Sequence, residues 1–294
     1  MTGDRHFVIG IGELLWDVFA DNRRMGGAPV NFAYYASQCG CASGAVSAVG
    51  SDASGDALLA EFSALGLCGS SVQRNAFPTG TVEVSLDSAG VPQYDIRRNV
   101  AWDNIVFDKR LAATAPQTDA VCWGTLAQRS EVSRGAILEF VDSVPASALK
   151  IFDINLRQNF YDARIIADSL ERADILKLNE DELPVVAEMF GMGGGDEAVL
   201  HALSKRFSLE YALYTMGAKG SAIARGGEVV SYIDTPETEV ADTVGAGDSF
   251  TATFTAMLLR GAPVRTAHEK AVKVAAFVCG NEGAINRLPD GFLR

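Results

Sequence analysis

Along the chain, short runs of β-branched and apolar residues alternate with longer stretches in which apolar positions recur every three or four residues. The strand-like runs cover residues 7–11, 44–49, 120–123, 150–154, 175–178 and 211–215. Helix-length segments mostly separate them, and residues 55–65, 132–144, 165–172 and 196–207 each present an apolar face. Such alternation predicts an α/β fold: a mainly parallel sheet covered by helices on both faces.

The pattern changes between about residues 76 and 103. Thr81-Val82-Glu83-Val84-Ser85-Leu86-Asp87 has a period of two, Gly90 and Pro92 suggest a turn, and residues 93–97 read as a returning strand. Residues 13–19 are also strand-like and are bounded by Asp21-Asn22 and Gly26-Gly27. Together, segments of about 12–27 and 76–103 are expected to form a small projecting sheet suited to a lid. The alternative is an irregular surface insertion with no closing motion.

At 294 residues the chain suits one α/β domain, residues 1–294, that carries this insertion. Acidic residues outnumber basic ones by 37 to 25, giving a formal charge of −12. That balance opposes non-specific binding to nucleic acid or anionic membranes and favours a small-molecule ligand, although solubility alone also accounts for it. Five cysteines make no disulfide framework in a chain of this size, and Cys39-Gly40-Cys41 has no second cysteine pair to complete a zinc site. No secretory h-region and no run of eighteen apolar residues is present, so a soluble cytoplasmic protein is expected.

The most informative chemistry is Asp242-Thr243-Val244-Gly245-Ala246-Gly247-Asp248-Ser249-Phe250. Phe250, Phe254, Met257 and Leu258 follow at helical spacing until Gly261 and Pro263, which makes Gly245-Ala246-Gly247 a helix N-terminus. Its unpaired N–H groups and the helix dipole favour an anion, and small residues let a phosphate come close. Asp248, in the first turn, is placed to take a proton from a substrate hydroxyl. A second glycine segment, Gly26-Gly27-Ala28-Pro29-Val30-Asn31, precedes another helix and carries Asn31 in its first turns, as a ligand group or as a local cap. Asp17 interrupts the apolar run Leu14-Leu15-Trp16-Asp17-Val18-Phe19: either it has hydroxyl or cationic partners, such as a sugar, or alternation turns it to solvent.

Three further segments end strands at the edge where parallel sheets bind ligands. Asn179-Glu180-Asp181-Glu182 offers carboxylates that can hold magnesium through water or simply favour a helix start. Thr215-Met216-Gly217-Ala218-Lys219-Gly220 is a glycine turn able to pass beneath nucleotide phosphates, without the spacing of a P-loop. Asp153-Ile154-Asn155-Leu156-Arg157 brings a cation for substrate or phosphate, or for a structural ion pair. Gly10-Ile11-Gly12 lacks the third glycine of a dinucleotide fingerprint.

In this order, the Gly-Gly-Ala-Pro-Val-Asn-Phe-Ala segment, Asn179-x-x-Glu182, the Thr-x-Gly-x-x-Gly turn and Asp-Thr-Val-Gly-Ala-Gly-Asp resemble the PfkB, or ribokinase-like, carbohydrate kinases across essentially the whole chain. Within them, Gly12-Glu13-Leu14-Leu15-Trp16-Asp17 and Phe152-Asp153-Ile154-Asn155-Leu156-Arg157 look most like bacterial fructokinases. The resemblance implies a Rossmann-type α/β/α core with a small β-sheet lid, transferring the γ-phosphoryl group of ATP to a sugar. It makes Asp248 the base and Gly245, Ala246 and Gly247 the anion hole. By the same resemblance Asp17, Gly27 and Asn31 are sugar contacts, and the cation Arg157, read from its own segment, is placed with them as a substrate-binding candidate. Asn179, Thr215, Gly217 and Gly220 serve the nucleotide, and Glu182 serves Mg2+. Asp242, Val244, Val278, Asn281 and Gly283 correspond to a monovalent cation site, such as one for K+. D-fructose is the implied substrate, against ribose, 2-keto-3-deoxygluconate or a nucleoside, and against a non-catalytic sugar- or nucleotide-binding regulator. The lid sheet also offers a surface for a homodimer.

Overall fold

The computed structural model describes residues 5–86 and 92–293. The chain opens with β1 (Phe7–Ile11), β2 (Leu15–Val18), β3 (Arg23–Gly26), α1 (Ala28–Gln38), β4 (Ala42–Gly50), α2 (Ala53–Ala64) and β5 (Val72–Asn75). Then come β6 (Gly80–Leu86), β7 (Pro92–Ile96), α3 (Lys109–Thr114), β8 (Ala120–Trp123), α4 (Glu131–Ser143) and β9 (Leu149–Asp153). The second half contains α5 (Ala163–Leu170), β10 (Ile175–Asn179), α6 (Glu182–Met189), α7 (Asp196–Phe207) and β11 (Tyr211–Thr215). It finishes with β12 (Ser221–Arg225), β13 (Glu228–Ile233), α8 (Ala246–Leu259) and α9 (Val264–Cys279).

Among the described residues, nine strands form the main sheet in the order β13-β12-β11-β10-β9-β8-β1-β4-β5. From β5 to β11 every pairing is parallel, and β12 and β13 add an antiparallel edge. The strand order turns between β8 and β1, which is where an open sheet of this kind has its ligand crevice. Both faces are covered. Val8 of β1 packs on the side of α1, α2, α8 and α9, through Phe32, Leu58, Phe254 and Val274. Ile9 and Ile11 face α4, α5, α6 and α7, through Phe140, Ile166, Val186 and Leu200. These side chains are fully or almost fully buried, and each contributes about 1.5–3 kcal/mol relative to exposure.

Local chemistry starts the helices where the pattern requires. The Asp52 carboxylate accepts the Gly55 N–H at 2.7 Å to cap α2, and Asp162 accepts the Ile165 N–H at 2.8 Å to cap α5. Helix α8 is buried nearly all round from Ser249 to Met257 and packs against both α1 and α9. Five features were not expected from the pattern: β3, β5, α3, the β12–β13 hairpin and α9. The hairpin turns through Gly226 and Gly227 at φ 56° and 93°. It is fixed to α9 by His268, whose ring nitrogens each lie 2.8 Å from a serine hydroxyl, Ser221 on β12 and Ser231 on β13. Burial pushes the His268 pKa down to about 4.

The expected small sheet is present, in the order β3-β2-β6-β7. Its β2–β6 pairing is parallel and the other two are antiparallel. The turn expected at Gly90 lies outside the described residues, and Pro92 begins β7. Two bonds join β7 and its continuation to the core: Gln158 Nε2 donates to the Tyr94 carbonyl at 2.7 Å, and Arg129 Nη2 donates to the Arg97 carbonyl at 2.6 Å. Arg129 is itself held by a buried ion pair with Asp103 at 2.8 Å.

Candidate active site

Gly245, at φ +80°, is the N-cap of α8, and a Cβ there would stand 2.8 Å from Ala284 Cα. A side chain is therefore excluded twice, by backbone conformation and by the C-terminal loop. The first turn then presents Ala246, Gly247 and Asp248; the Ala246 N–H makes a long bond of 3.3 Å to the Thr243 carbonyl, and the N–H groups of a first turn have no partner within the helix. Asn31, in the first turns of α1, donates its Nδ2 to Asp248 Oδ2 at 2.7 Å. Its Oδ1 is buried and has no partner among the described residues. Nearby, the Tyr35 hydroxyl donates to the Ala284 carbonyl at 2.9 Å and accepts the Asn286 N–H at 3.1 Å, so α1 is tied both to α8 and to the last loop.

The sugar contacts expected from the sequence converge here. Gly27 has φ +122°, and a Cβ on it would run into the Glu13 carbonyl oxygen. Gly26 likewise leaves room for the Asp17 carboxylate. Burial raises Asp17 to about 6, opposed by the Arg157 guanidinium. The same guanidinium acts on Asp248, and its Nη1 donates to the carbonyl of Leu156 at 3.0 Å. Burial also raises Asp248, opposed by the Asn31 hydrogen bond and then by Lys177 and Arg157. A carboxylate raised toward neutrality is the stronger base when ionised.

Two residues in this half were not singled out from the sequence. Glu13, 4% exposed, accepts the Ala28 N–H at 3.2 Å and is raised to about 7 by burial. Lys177 lies under the glycine turn, 3.3 Å from Asp153. Burial works against its charge, yet Asp153, Glu182 and Asp248 hold its pKa above the ordinary value. A lysine inside the apolar run Ile175-Leu176-Lys177-Leu178 was a readable signal.

The residues expected to serve the nucleotide lie on the neighbouring strand ends. Asn179 and Thr215 are register partners at the ends of β10 and β11. The Asn179 Oδ1 accepts the N–H groups of Asp181 and Glu182, both at 2.9 Å, which shapes the turn into α6. Glu182 is 5% exposed, and its two oxygens accept the N–H groups of Leu156 at 3.0 Å and Asn179 at 2.8 Å. It therefore clamps the ends of β9 and β10 together. Gly217 and Gly220 take φ +51° and +134° in the turn between β11 and β12, where Thr235 Oγ1 donates to the Gly217 carbonyl at 2.6 Å. Asp242 joins two loops, accepting the N–H groups of Val244 at 3.1 Å and Gly283 at 3.0 Å. Within the same cluster the Val278 carbonyl accepts the Asn281 N–H at 3.0 Å, and the Gly283 carbonyl accepts the Asn286 amide at 2.6 Å.

The helix start that carries Asp248, the buried polar groups around it and a glycine turn thus share one sheet edge. The family model described as pfkB family carbohydrate kinase matches residues 8–291. The chain belongs to that family. A fructokinase of Salmonella typhimurium is 27% identical over 278 residues, covering 90% of this carbohydrate kinase and 88% of the relative. A putative sugar kinase of Pyrococcus horikoshii is 26% identical over 273 residues, covering 86% and 83%. Among solved structures, the ATP-bound fructokinase of Xylella fastidiosa superposes with a TM-score of 0.87 at 22% identity, over 96% of this chain and 95% of that one. The kinase therefore has the α/β fold of its structural relatives, and it carries a small second sheet. Among its described residues no helix is long and apolar enough to cross a membrane.

Proposed function

We propose that this carbohydrate kinase transfers the γ-phosphoryl group of ATP to D-fructose, forming fructose 6-phosphate. The observation that carries the phosphotransferase chemistry is the 2.7 Å bond between Asn31 and Asp248 at the open N-terminus of α8. It orients a carboxylate beside an anion site, so that one element serves both the proton and the phosphoryl group. Asp248 takes the proton of the attacking hydroxyl as the oxygen–phosphorus bond forms, ADP leaves, and the N–H groups of Gly245, Ala246 and Gly247 stabilise charge on the group in transit. Asp17, Gly27, Asn31 and Arg157 hold and orient the sugar. The nucleotide lies along Asn179, Thr215, Gly217 and Gly220.

Among the described residues no group of three or more His, Cys, Asp or Glu side chains could hold a metal ion; magnesium would arrive with the nucleotide phosphates, which need few protein ligands beside them. Glu182, with both oxygens on backbone amides, would act on it through water. Magnesium supplies charge neutralisation on the phosphates when bound. A monovalent cation would sit against the carbonyls of the Asp242–Gly283 cluster. The small sheet acts as the lid, closing over the sugar from a base anchored by Gln158 and Arg129.

Fructose is favoured over the other acceptors by the fructokinases among the relatives. The test is ADP release from Mg-ATP with fructose, glucose, ribose, 2-keto-3-deoxygluconate and adenosine. The expected result is the highest kcat/KM with fructose. A higher value for another acceptor overturns the fructose assignment, and bound ATP and sugar without ADP formation overturns the kinase reading in favour of a non-catalytic binding protein.

A further inference from the structure

Beneath the glycine turn lies a buried ion pair that this reaction scheme leaves without a role. Lys177, in β10, and Asp153, the last residue of β9, are 6% and 5% exposed. The Lys177 Nζ stands 2.9 Å from the position a Cβ would take on Gly247. Gly247 does not have a positive φ, so what glycine provides there is space, which admits the ammonium under the first turn of α8. From that helix Thr251 Oγ1 lies 3.2 Å from Asp153 Oδ2 and 2.9 Å from the Gly247 carbonyl oxygen, which locks the pair against the same turn. A buried ion pair gains little stability over apolar residues of similar volume, because desolvation offsets the attraction. What this pair faces is the better explanation of it.

We propose that Lys177 is a positioning residue for phosphoryl transfer: held by Asp153 under Gly247, its ammonium is the counter-charge that keeps Asp248 ionised and ready to accept the hydroxyl proton. The proposal rests on Asp248 being the base. Glu182 at the start of α6, Glu13 after β1 and Asp153 on β9 put three carboxylates around Asp248. Against them stand Lys177 and the exposed Arg157. Cys122 of β8 and Tyr35 of α1 also face it, and burial keeps both neutral. Without Lys177, one solvent-screened cation opposes three carboxylates, and Asp248 takes up a proton at higher pH.

The experiment is the pH dependence of kcat for Lys177→Met and for the double variant Lys177→Met/Asp153→Asn, with Asp248→Asn measured in parallel. The double variant leaves no lone buried charge, so it keeps the test open if the single variant does not fold, but a carboxylate that opposes Asp248 leaves with the cation. The acid limb is expected to move up by about one pH unit or more in Lys177→Met, with turnover lost near neutrality returning as the pH is raised, and to move up by less in the double variant. A folded variant that binds ATP but has an unmoved acid limb, or that is equally impaired at every pH, overturns the role of Lys177. Near-normal turnover in Asp248→Asn instead sinks the base assignment, and this proposal with it.

Discussion

The two halves of the site are built differently. On the sugar side Glu13, Asn31, Asp153 and Lys177 are each no more than 6% exposed and are set by bonds to one another, to α1 or to α8. On the proposed nucleotide side the turn at 217–219 and residues 234–241 are exposed. The charged pair there, Lys219 with Glu180 at 2.7 Å, has 75% of the lysine side chain in solvent. Proton transfer needs a carboxylate of controlled pKa, which burial and fixed charges provide. Holding phosphates needs backbone shape, which glycines in left-handed turns provide. The difference teaches that charge is placed by the core on one side and contact by loop conformation on the other.

The largest test of that contrast is Asp248→Asn, which should lower kcat at least ~100-fold while KM for sugar and ATP change far less. Comparable losses in kcat and in both affinities would mean that the sugar side is not specialised for the proton. Next is Gly220→Ala. Its φ of +134° and the Ile233 carbonyl oxygen 2.5 Å from the new Cβ disturb the nucleotide turn, and strain of this kind is worth about 1–3 kcal/mol. The expected outcome in steady-state kinetics is KM for ATP up roughly tenfold, with KM for the sugar unchanged. A parallel rise in the sugar KM would break the division into halves.

The smallest effect concerns stability. Glu13 is raised from 4.5 to about 7, so the folded state holds a proton that the unfolded chain has lost. The stability this contributes is fully present below pH 4.5 and is lost as pH rises through about 7. Asp17, raised to about 6, acts with the same sign. Melting curves of Glu13→Gln and the parent should therefore diverge in favour of the glutamine variant as pH rises, by up to about 3 kcal/mol. A pH-independent difference would show that Glu13 is not the buried acid its surroundings make it.

Much of this architecture was legible in the chain. The six expected central strands and four sheet-covering helices fall where the periodicity put them, because burial on two faces writes itself into local sequence. The β12–β13 hairpin carried a readable Gly226-Gly227 signal that was passed over. Helix α9 was hidden behind the stop at Gly261 and Pro263. Asp248 and its glycines were visible because they lie within nine consecutive residues that lead from a loop into the first turn of α8. Glu13 was not, since its partner is the N–H of Ala28, and any residue type can supply that. Nor could spacing reveal that Asn31 meets Asp248 across 217 positions or that Thr251 meets Asp153 across 98. Such pairings follow from the order of strands in the sheet, which no local period encodes.

Those distant pairings have a consequence for how the protein is made. Arg24 with Glu282, Asn31 with Asp248, and Tyr35 with Ala284 and Asn286 all join residues 24–35 to residues 248–286. Synthesis proceeds from one end at about 5–20 residues per second, so on the ribosome helix α1 waits more than two hundred residues for its partners. A nascent chain can assemble the parallel strands as they emerge, but a product stalled before α8 lacks Asp248 and the glycine-lined helix start. On the proposed roles of these residues, catalytic competence arrives late and all at once.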